Sequence, residues 1–241
     1  MDECVNESLK NLHIDYFDLY LLHYPKAIAY GGLEDLLPKD EDGVLIKDEG
    51  CDYVDAWRSL QKVRGDGRAR SLGVSNFNGF QLERLIRETG IVPTVNQVEF
   101  HPYLTQPDLV NLCRLHRIAV TAYCCVGAAD RKAREWKNKQ DEFVYLLEDP
   151  VIVKIADKHG KSPAQVCLRF CVEMEVAAVP KSVTASRITE NLNVFDFQLS
   201  GEDLELILSL NRNHRFLPAD ADKDHITRFV KTTLNKYTFF I

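Results

Sequence analysis

The sequence predicts an α/β fold built on a parallel sheet. Short runs of apolar and β-branched residues alternate with amphipathic stretches along most of the chain. Three of these runs begin at residues 70, 95 and 118, so each interval has the length of one strand-helix unit with short loops. Polar residues close several of the runs, as they do where parallel strands end at a common edge. Strands that alternate with helices in this way are typical of a parallel sheet.

The first predicted strand, residues 17–22, is rich in aromatic residues and leucine and breaks off at His23 and Pro25. An apolar run that stops in this way is typical of a buried parallel strand whose carboxyl end opens into a site. His23 is therefore a candidate for chemistry, the alternative being a core histidine that a neighbouring carbonyl satisfies. The remaining predicted strands are 70–74, 95–99, 118–123 and 176–180.

Helices are predicted between and after these strands, and several carry start signals. Ser162 and Pro163 with Gln165 combine an N-cap, a proline at the first helical position and a capping box. Thr184 and Ser200 are candidate N-caps. The predicted helices are 52–64, 79–89, 105–116, 149–159, 162–173, 184–193 and 201–210.

Two intervals are longer than one strand-helix unit. Residues 26–51, which contain Gly31-Gly32 and a charged turn at 39–43, predict a surface hairpin after the first strand. Residues 124–148 predict a polar loop after the fourth strand. Both insertions follow strand carboxyl ends, which in a (β/α) barrel is the face that builds the active site.

Composition narrows the class of partner. The net charge is −6 and no stretch collects five or six like charges, so the sequence shows no electrostatic footprint for nucleic acid or an anionic membrane. No apolar run approaches the ~18 residues of a membrane span, and the first residues are acidic, unlike a signal peptide. The seven cysteines form no Cys-x-x-Cys pair, which favours reduced thiols and a cytoplasmic setting. We therefore expect a small-molecule partner.

The end of the chain combines groups suited to an anion. Lys181 and Arg187 stand on either side of the helix start at Thr184, and cations beside helix-terminal amides are a typical phosphate site. No Gly-x-Gly-x-x-Gly follows a strand, so a Rossmann dinucleotide site is not predicted. The histidines lack metal-ligand spacing, and only Glu99 closes a strand as a carboxylate, which disfavours metal sites and glycosidase chemistry.

Five motifs in fixed order resemble the aldo-keto reductases, and the likeness extends to about Asn211. It implies a (β/α)8 TIM barrel that binds NADPH and reduces small aldehydes or ketones. The motifs are Leu-Leu-His-Tyr-Pro at 21–25, Gly-Val-Ser-Asn-Phe at 73–77, Asn-Gln-Val-Glu-Phe-His-Pro-Tyr-Leu at 96–104, Val-Thr-Ala-Tyr at 120–123, and Val-Pro-Lys-Ser-Val-Thr with Arg-Ile-Thr-Glu-Asn within 179–191.

The resemblance also implies roles for individual residues. His23 matches the histidine that orients and polarises the substrate carbonyl, and Tyr24 stands in the substrate pocket. The nicotinamide carboxamide would be held by Ser75, Asn76 and Gln97, with Tyr123 stacked on the ring. The other implied cofactor residues are Lys181, Ser182, Val183, Thr184 and Arg187 at the 2′-phosphate segment, Glu190 and Asn191 at the adenine, and Val126 and Asp130 in the pyrophosphate loop.

The sequence departs from the family at two places. Cys124-Cys125-Val-Gly-Ala replaces the usual Ser-Pro-Leu-Gly-Ser, which removes hydroxyl groups and a proline from the pyrophosphate loop. The family's general acid, a tyrosine whose pKa a lysine and an aspartate lower, lies upstream of the histidine strand, and only residues 1–16 precede that strand here. We therefore expect one domain, 1–241, that is N-terminally truncated and retains about five units, the fourth to the eighth, with a variable tail at 212–241.

Three interpretations of the absent segments stay open. The chain is a fragment or truncated product of a complete reductase, or a short NADPH-binding pseudoenzyme or interaction module without turnover. The third is a noncatalytic partner protein that resembles the reductase-like β subunits of potassium channels. The sequence does not predict an oligomeric state.

Overall fold

The computed structural model describes residues 1–32, 35, 37–128 and 145–217. These residues fall into two compact units. The first unit comprises Met1–Gln97 and Asn111–Ala119, and the second comprises Val98–Val110 and residues 120–217. Within the described residues, no helix is long and apolar enough to cross a membrane.

Helices and strands alternate as the sequence predicts. The strands are β1 (Phe17–Leu22), β2 (Ala69–Ser75), β3 (Val95–Glu99), β4 (Ala119–Tyr123) and β5 (Ala177–Ala178). The helices are α1 (Asp2–Leu12), α2 (Tyr53–Gly65), α3 (Gly79–Thr89), α4 (Pro107–Leu115), α5 (Pro150–His159), α6 (Pro163–Glu173), α7 (Ala185–Leu192) and α8 (Gly201–Ser209), with a 3-10 turn at Leu146–Glu148.

The strands form one sheet in the order β1-β2-β3-β4-β5, and β1–β2, β2–β3 and β4–β5 pair in parallel. The prediction of a parallel sheet is therefore confirmed. β5 is shorter than the predicted 176–180. The amide of Val179 still donates to the carbonyl of Ala122, but Pro180 follows and has no amide to extend the ladder.

Tight packing in the first unit depends on a glycine in β2. A Cβ atom on Gly73 would lie 2.6 Å from Leu21 Cδ2 and 2.8 Å from the carbonyl oxygen of Val95. The neighbouring strands therefore leave no room for a side chain at this position. Helices α2 and α3 bury apolar residues in the same unit, namely Val54, Trp57, Leu60, Val63, Leu82 and Leu85.

Local helix signals are confirmed where the side chain itself does the capping. Ser162 accepts from the amide of Gln165, whose side chain accepts from the amide of Ser162 in return. Ser200 and Asp203 form the same reciprocal capping box at the start of α8. Reciprocal bonds of this kind satisfy helix amides that have no partner inside the helix, which is why the sequence pattern alone locates the helix start.

The long interval after β1 contains the predicted hairpin. Antiparallel bridges join Ile28 with Lys47 and Lys39 with Leu45. The turn between them is closed by the amide of Gly43, which donates to the carbonyl of Asp40. The predicted loop at 124–148 lies mostly outside the described residues, so that only its two ends are described.

Candidate functional site

In the first unit, the ends of three strands are joined by a small set of hydrogen bonds. The Ser75 hydroxyl donates to the backbone carbonyl oxygen of Gln97 at 2.8 Å, and the backbone amide of Asn76 donates to the same oxygen at 2.8 Å. The Asn76 side chain donates from Nδ2 to the carbonyl oxygen of His23 at 3.0 Å. We call these four residues the strand-end cluster. Four of the predicted site residues are thus brought together.

Asn76 has a backbone conformation that few residues adopt. Its φ angle is 63°, in the left-handed region where asparagine is better tolerated than most residues other than glycine. The turn after β2 is further held by Asn96, whose Nδ2 donates to the carbonyl oxygen of Phe77 at 2.9 Å. The polar groups of the turn are therefore fixed on both sides of Asn76.

Burial determines the protonation state of His23 in this cluster. Ser75 and Gln97 are only 2% and 6% exposed. Burial lowers the pKa of His23, because a charged imidazolium loses its hydration there. His23 is therefore neutral near pH 7 and retains a ring N–H that can donate to a carbonyl oxygen. Tyr24, next in the chain, is half-buried.

In the second unit, residues 181–191 form a separate candidate site that we call the α7 segment. Thr184 is the N-cap residue of α7, as predicted, although its side chain makes no capping hydrogen bond. The Ser182 hydroxyl oxygen accepts from the backbone amide of Thr184 at 3.2 Å, a local turn that immediately precedes the helix.

The α7 segment is exposed. Helix α7 buries none of its residues, Val183 is 85% exposed, and both Lys181 and Arg187 are exposed. The first-turn amides of a helix and two cations provide donors and positive charge for an anion. Their exposure means that solvent screens each charge–charge interaction at this site.

The neighbouring helix α6 fixes the far end of the α7 segment. Gln165 Nε2 donates to the carbonyl oxygens of Glu190 at 3.2 Å and Asn193 at 2.9 Å. Arg169 Nη1 donates to the carbonyl oxygen of Val194 at 3.1 Å. As a result, the half-buried Glu190 and its neighbour Asn191 have a defined backbone position.

Tyr123 closes β4 and begins the loop that departs from the family pattern. It is half-buried, and burial raises the pKa of its phenol, so that the hydroxyl stays protonated. Cys124 and Gly127 both have positive φ angles, 52° and 75°, and the predicted site residue Val126 between them is half-buried. Asp130, the other loop residue predicted from the resemblance, lies outside the described residues.

Sequence reasoning missed a buried polar network in the second unit. Glu99 and His101 are both 0% exposed, and His101 Nε2 lies 3.0 Å from Glu99 Oε1. The available signal was the placement of these polar residues among apolar ones in the Asn96–Leu104 motif, where a charge is costly unless it is paired. Among the residues that the structure describes, no three His, Cys, Asp or Glu side chains are arranged to hold a metal ion.

Curated proteins similar to this chain cover most of it. Estradiol 17 beta-dehydrogenase 5 of Mus musculus is 41% identical over 224 residues, which are 92% of this chain and 67% of the relative. Prostaglandin F synthase 2 of Bos taurus is 44% identical over 214 residues, 88% of this chain and 64% of the relative. The chain thus spans about two thirds of the length of these relatives.

Solved structures match the fold as well as the sequence. The aldose reductase from Schistosoma japonicum is 36% identical with a TM-score of 0.78, covering 89% of this chain and 64% of that chain. The Bombyx mori aldo-keto reductase in complex with NADP is 35% identical with a TM-score of 0.75, covering 91% of this chain and 66% of that chain. The model of the aldo/keto reductase family matches residues 1–212. This chain therefore belongs to the aldo/keto reductase family of NADP-dependent oxidoreductases, whose fold is a TIM barrel.

Proposed function

We propose that this chain binds NADPH and acts in the reduction of small aldehydes or ketones to alcohols. The observation that carries the proposal is the strand-end cluster, in which hydrogen bonds hold Ser75, Asn76 and Gln97 beside the backbone of His23. Family membership supports the same activity. NADPH, when bound, supplies the hydride, and the side chains of this chain hold and orient the reactants.

The chemistry of the residues fits the two ends of the cofactor. A nicotinamide carboxamide needs both donors and acceptors, which the hydroxyl of Ser75 and the amides of Asn76 and Gln97 provide. The Tyr123 ring offers a flat surface for a flat ring. The 2′-phosphate needs positive charge and donors, which Lys181, Arg187 and the Ser182 hydroxyl provide. In addition, Val183, Thr184, Glu190 and Asn191 match the family's cofactor segment, and Val126 and Asp130 match its pyrophosphate loop.

We further propose that His23 orients the substrate. In its neutral form the ring can donate a hydrogen bond to a carbonyl oxygen, which draws electron density toward that oxygen. Tyr24, the next residue, would line the substrate pocket. The five recognised motifs do not include the family's general-acid tyrosine. Because loss of a placed general acid costs roughly 100- to 10,000-fold in rate, we propose that these 241 residues alone turn over poorly.

A noncatalytic NADPH-binding module is the second candidate. It is favoured because the recognised motifs include the cofactor residues but not the general-acid tyrosine. Absence of turnover with intact cofactor binding distinguishes this module from a reductase.

The family match over residues 1–212 supports a single reductase domain with 212–241 as a tail. The seven cysteines form no Cys-x-x-Cys pair, and this sequence feature supports the proposed cytoplasmic setting.

Calorimetric titration of the chain with NADPH and with NADH tests the cofactor proposal. We expect tighter binding of NADPH. Lys181→Ala and Arg187→Ala should each weaken NADPH binding about fivefold and leave NADH binding nearly unchanged, since an exposed charge–phosphate contact contributes about 1 kcal/mol. Lys154→Ala, which removes an exposed lysine on α5 of the same unit, is the matched control. Equal affinity for the two cofactors, no binding, or an equal effect of the control would contradict the proposal.

Turnover is measured on the same samples with an aromatic aldehyde and NADPH. We expect a rate at background, because proton delivery to the carbonyl oxygen is unassisted. A rate comparable to that of a complete aldo-keto reductase, abolished by His23→Ala, would contradict the impaired-turnover proposal and leave the reductase proposal standing.

A further inference from the structure

The end of β3 carries a fully buried carboxylate. Glu99 Oε1 accepts from the backbone amide of Phe216 at 2.6 Å and lies 3.0 Å from His101 Nε2. Glu99 Oε2 accepts from the amide of Leu217 at 3.4 Å. Glu99 and His101 are both 0% exposed. A buried carboxylate is stable only when donors surround it, and here two of the three donors belong to one short backbone segment.

The charge of this carboxylate is balanced from the same segment. Burial lowers the pKa of His101 despite its contact with Glu99, so the histidine is not the balancing cation near pH 7. Arg215 Nη1 lies 3.9 Å from Glu99 Oε2, and Arg215 Nη2 donates to Gln106 Oε1 at 3.1 Å. Gln106 Nε2 donates in turn to the carbonyl oxygen of Glu99 at 2.6 Å. Glu99, Gln106 and Arg215 therefore form a closed ring of contacts.

Phe216 connects this carboxylate to residues 124–128, the described start of the loop after β4, which we call the β4 loop. Its ring centroid lies 4.7 Å from that of His101 and 5.0 Å from that of His214. A Cβ atom on Gly127 would meet the Phe216 ring at 3.2 Å and Leu146 Cβ at 3.2 Å. Gly127, with its positive φ angle, is thus in close contact with the anchored phenylalanine. Residues 214–217, which we call the anchored segment, therefore support the backbone of this loop.

Backbone hydrogen bonds join the residue after β3, the end of β4 and the start of the loop. The amide of Phe100 donates to the carbonyl oxygen of Tyr123 at 3.3 Å, and the amide of Gly127 donates to the carbonyl oxygen of Cys124 at 2.7 Å. The charges of Glu99 and Arg215 are near enough to the Tyr123 phenol to act on it in opposite directions. Hence the carboxylate, the anchored segment, the loop and Tyr123 are in continuous contact within the second unit.

We infer that Glu99 is a positioning residue: it holds the anchored segment 214–217, which in turn holds Tyr123 and residues 124–128, including Gly127, in the conformation that receives the cofactor. This inference rests on the proposed function for its last step. The first steps concern only the contacts of this chain. The role inferred for Glu99 is therefore indirect, because it acts through Phe216 and Gly127.

The test compares Glu99→Gln with Asp203→Asn. A glutamine has the shape of glutamate but only one acceptor oxygen. It therefore cannot place separate oxygens against the amides of Phe216 and Leu217, and its NH₂ group faces one of these donors or His101 Nε2. Asp203 is a matched control because it is also buried, lies in the same unit and accepts from Lys158 and Ser200 at the start of α8. A general loss of stability would appear in both variants, whereas loss of the anchored segment would appear only in Glu99→Gln.

Amide hydrogen exchange followed by NMR is the first readout. In Glu99→Gln we expect the amides of Phe216, Leu217 and Gly127 to exchange at least tenfold faster, while α6 stays protected, and we expect none of this in Asp203→Asn. Unchanged exchange at Gly127 would overturn the inference, whether or not Phe216 and Leu217 change. If Glu99→Gln does not fold, Phe216→Leu decides: it should accelerate exchange at Gly127 but not at Leu217, and unchanged exchange at Gly127 again overturns the inference.

Calorimetric titration with NADPH is the second readout. We expect Glu99→Gln to bind NADPH about tenfold more weakly and Asp203→Asn to bind it as the parent chain does. Accelerated exchange at Gly127 with unchanged NADPH affinity would overturn the link to the cofactor. If the parent chain binds no NADPH, the proposed function fails, and the exchange data alone decide whether Glu99 positions the loop.

Discussion

Replacing Asn76 with alanine removes the side chain that joins the end of β2 to the end of β1. The lost contacts are the bonds from Nδ2 to the carbonyl oxygen of His23 at 3.0 Å and to the hydroxyl of Ser75 at 3.2 Å. The new alanine must also keep the left-handed φ of 63°. The variant therefore combines a loss of hydrogen bonds with a backbone penalty.

The two contributions have different sizes and can be separated. Each lost bond contributes about 1 kcal/mol to the free energy of unfolding. A left-handed conformation costs a residue with a Cβ atom about 1 kcal/mol, and glycine avoids this cost. We therefore expect Asn76→Ala to lower the free energy of unfolding by about 3 kcal/mol and Asn76→Gly by about 2 kcal/mol. The glycine variant is the matched control, since it loses the same bonds.

Urea unfolding of the two variants and the parent chain measures these differences, with the slope held common so that the midpoints report stability. NADPH titration of the same samples should show weaker binding in both variants, because each has lost the side-chain amide of Asn76. The reasoning would be refuted if alanine and glycine gave the same free energy of unfolding, or if both matched the parent chain.

Two further predictions concern stability. Gly73→Ala should lower the free energy of unfolding by about 1–3 kcal/mol, because the new Cβ would meet the Val95 carbonyl oxygen at 2.8 Å. Gly65→Ala is the control and should be neutral or slightly stabilising, because nothing lies within 4 Å of its new Cβ. Equal urea midpoints for the two variants would contradict this. Burial tends to raise the pKa of Asp203, but hydrogen bonds from Lys158, His159 and Ser200 outweigh it and lower the pKa below its ordinary value. The stabilisation is therefore present above about pH 4 and lost as the pH falls through the lower folded value. Urea unfolding at pH values from 7 downward should show Asp203→Asn about 2 kcal/mol less stable than the parent chain at pH 7, with a difference that shrinks in acid. A difference that stays constant with pH would be evidence against this hydrogen-bond network.

Much of the fold was predictable because its signals are local. An apolar run is typical of a buried parallel strand, so 17–22 was located by composition and matches β1, whereas 95–99, with three polar residues, was located by the regular spacing of the runs and matches β3. The capping boxes at Ser162 and Ser200 are formed by residues three positions apart, so the sequence contains both partners. Thr184 shows the limit of this reasoning: it occupies the N-cap position of α7, but whether its side chain reaches a helix amide depends on torsion angles that the sequence does not display.

The candidate site divides in the same way. The sequence by itself determined the identity of the strand-end residues and of the cations on the α7 segment, because each belongs to a continuous motif. Only the tertiary structure decided that the Ser75 hydroxyl and the Asn76 amide share one Gln97 oxygen, and that Glu99 holds Phe216 and Leu217. The physical reason is separation along the chain: Glu99 and Phe216 are 117 positions apart, and only packing brings a buried carboxylate to the distant amides that stabilise it.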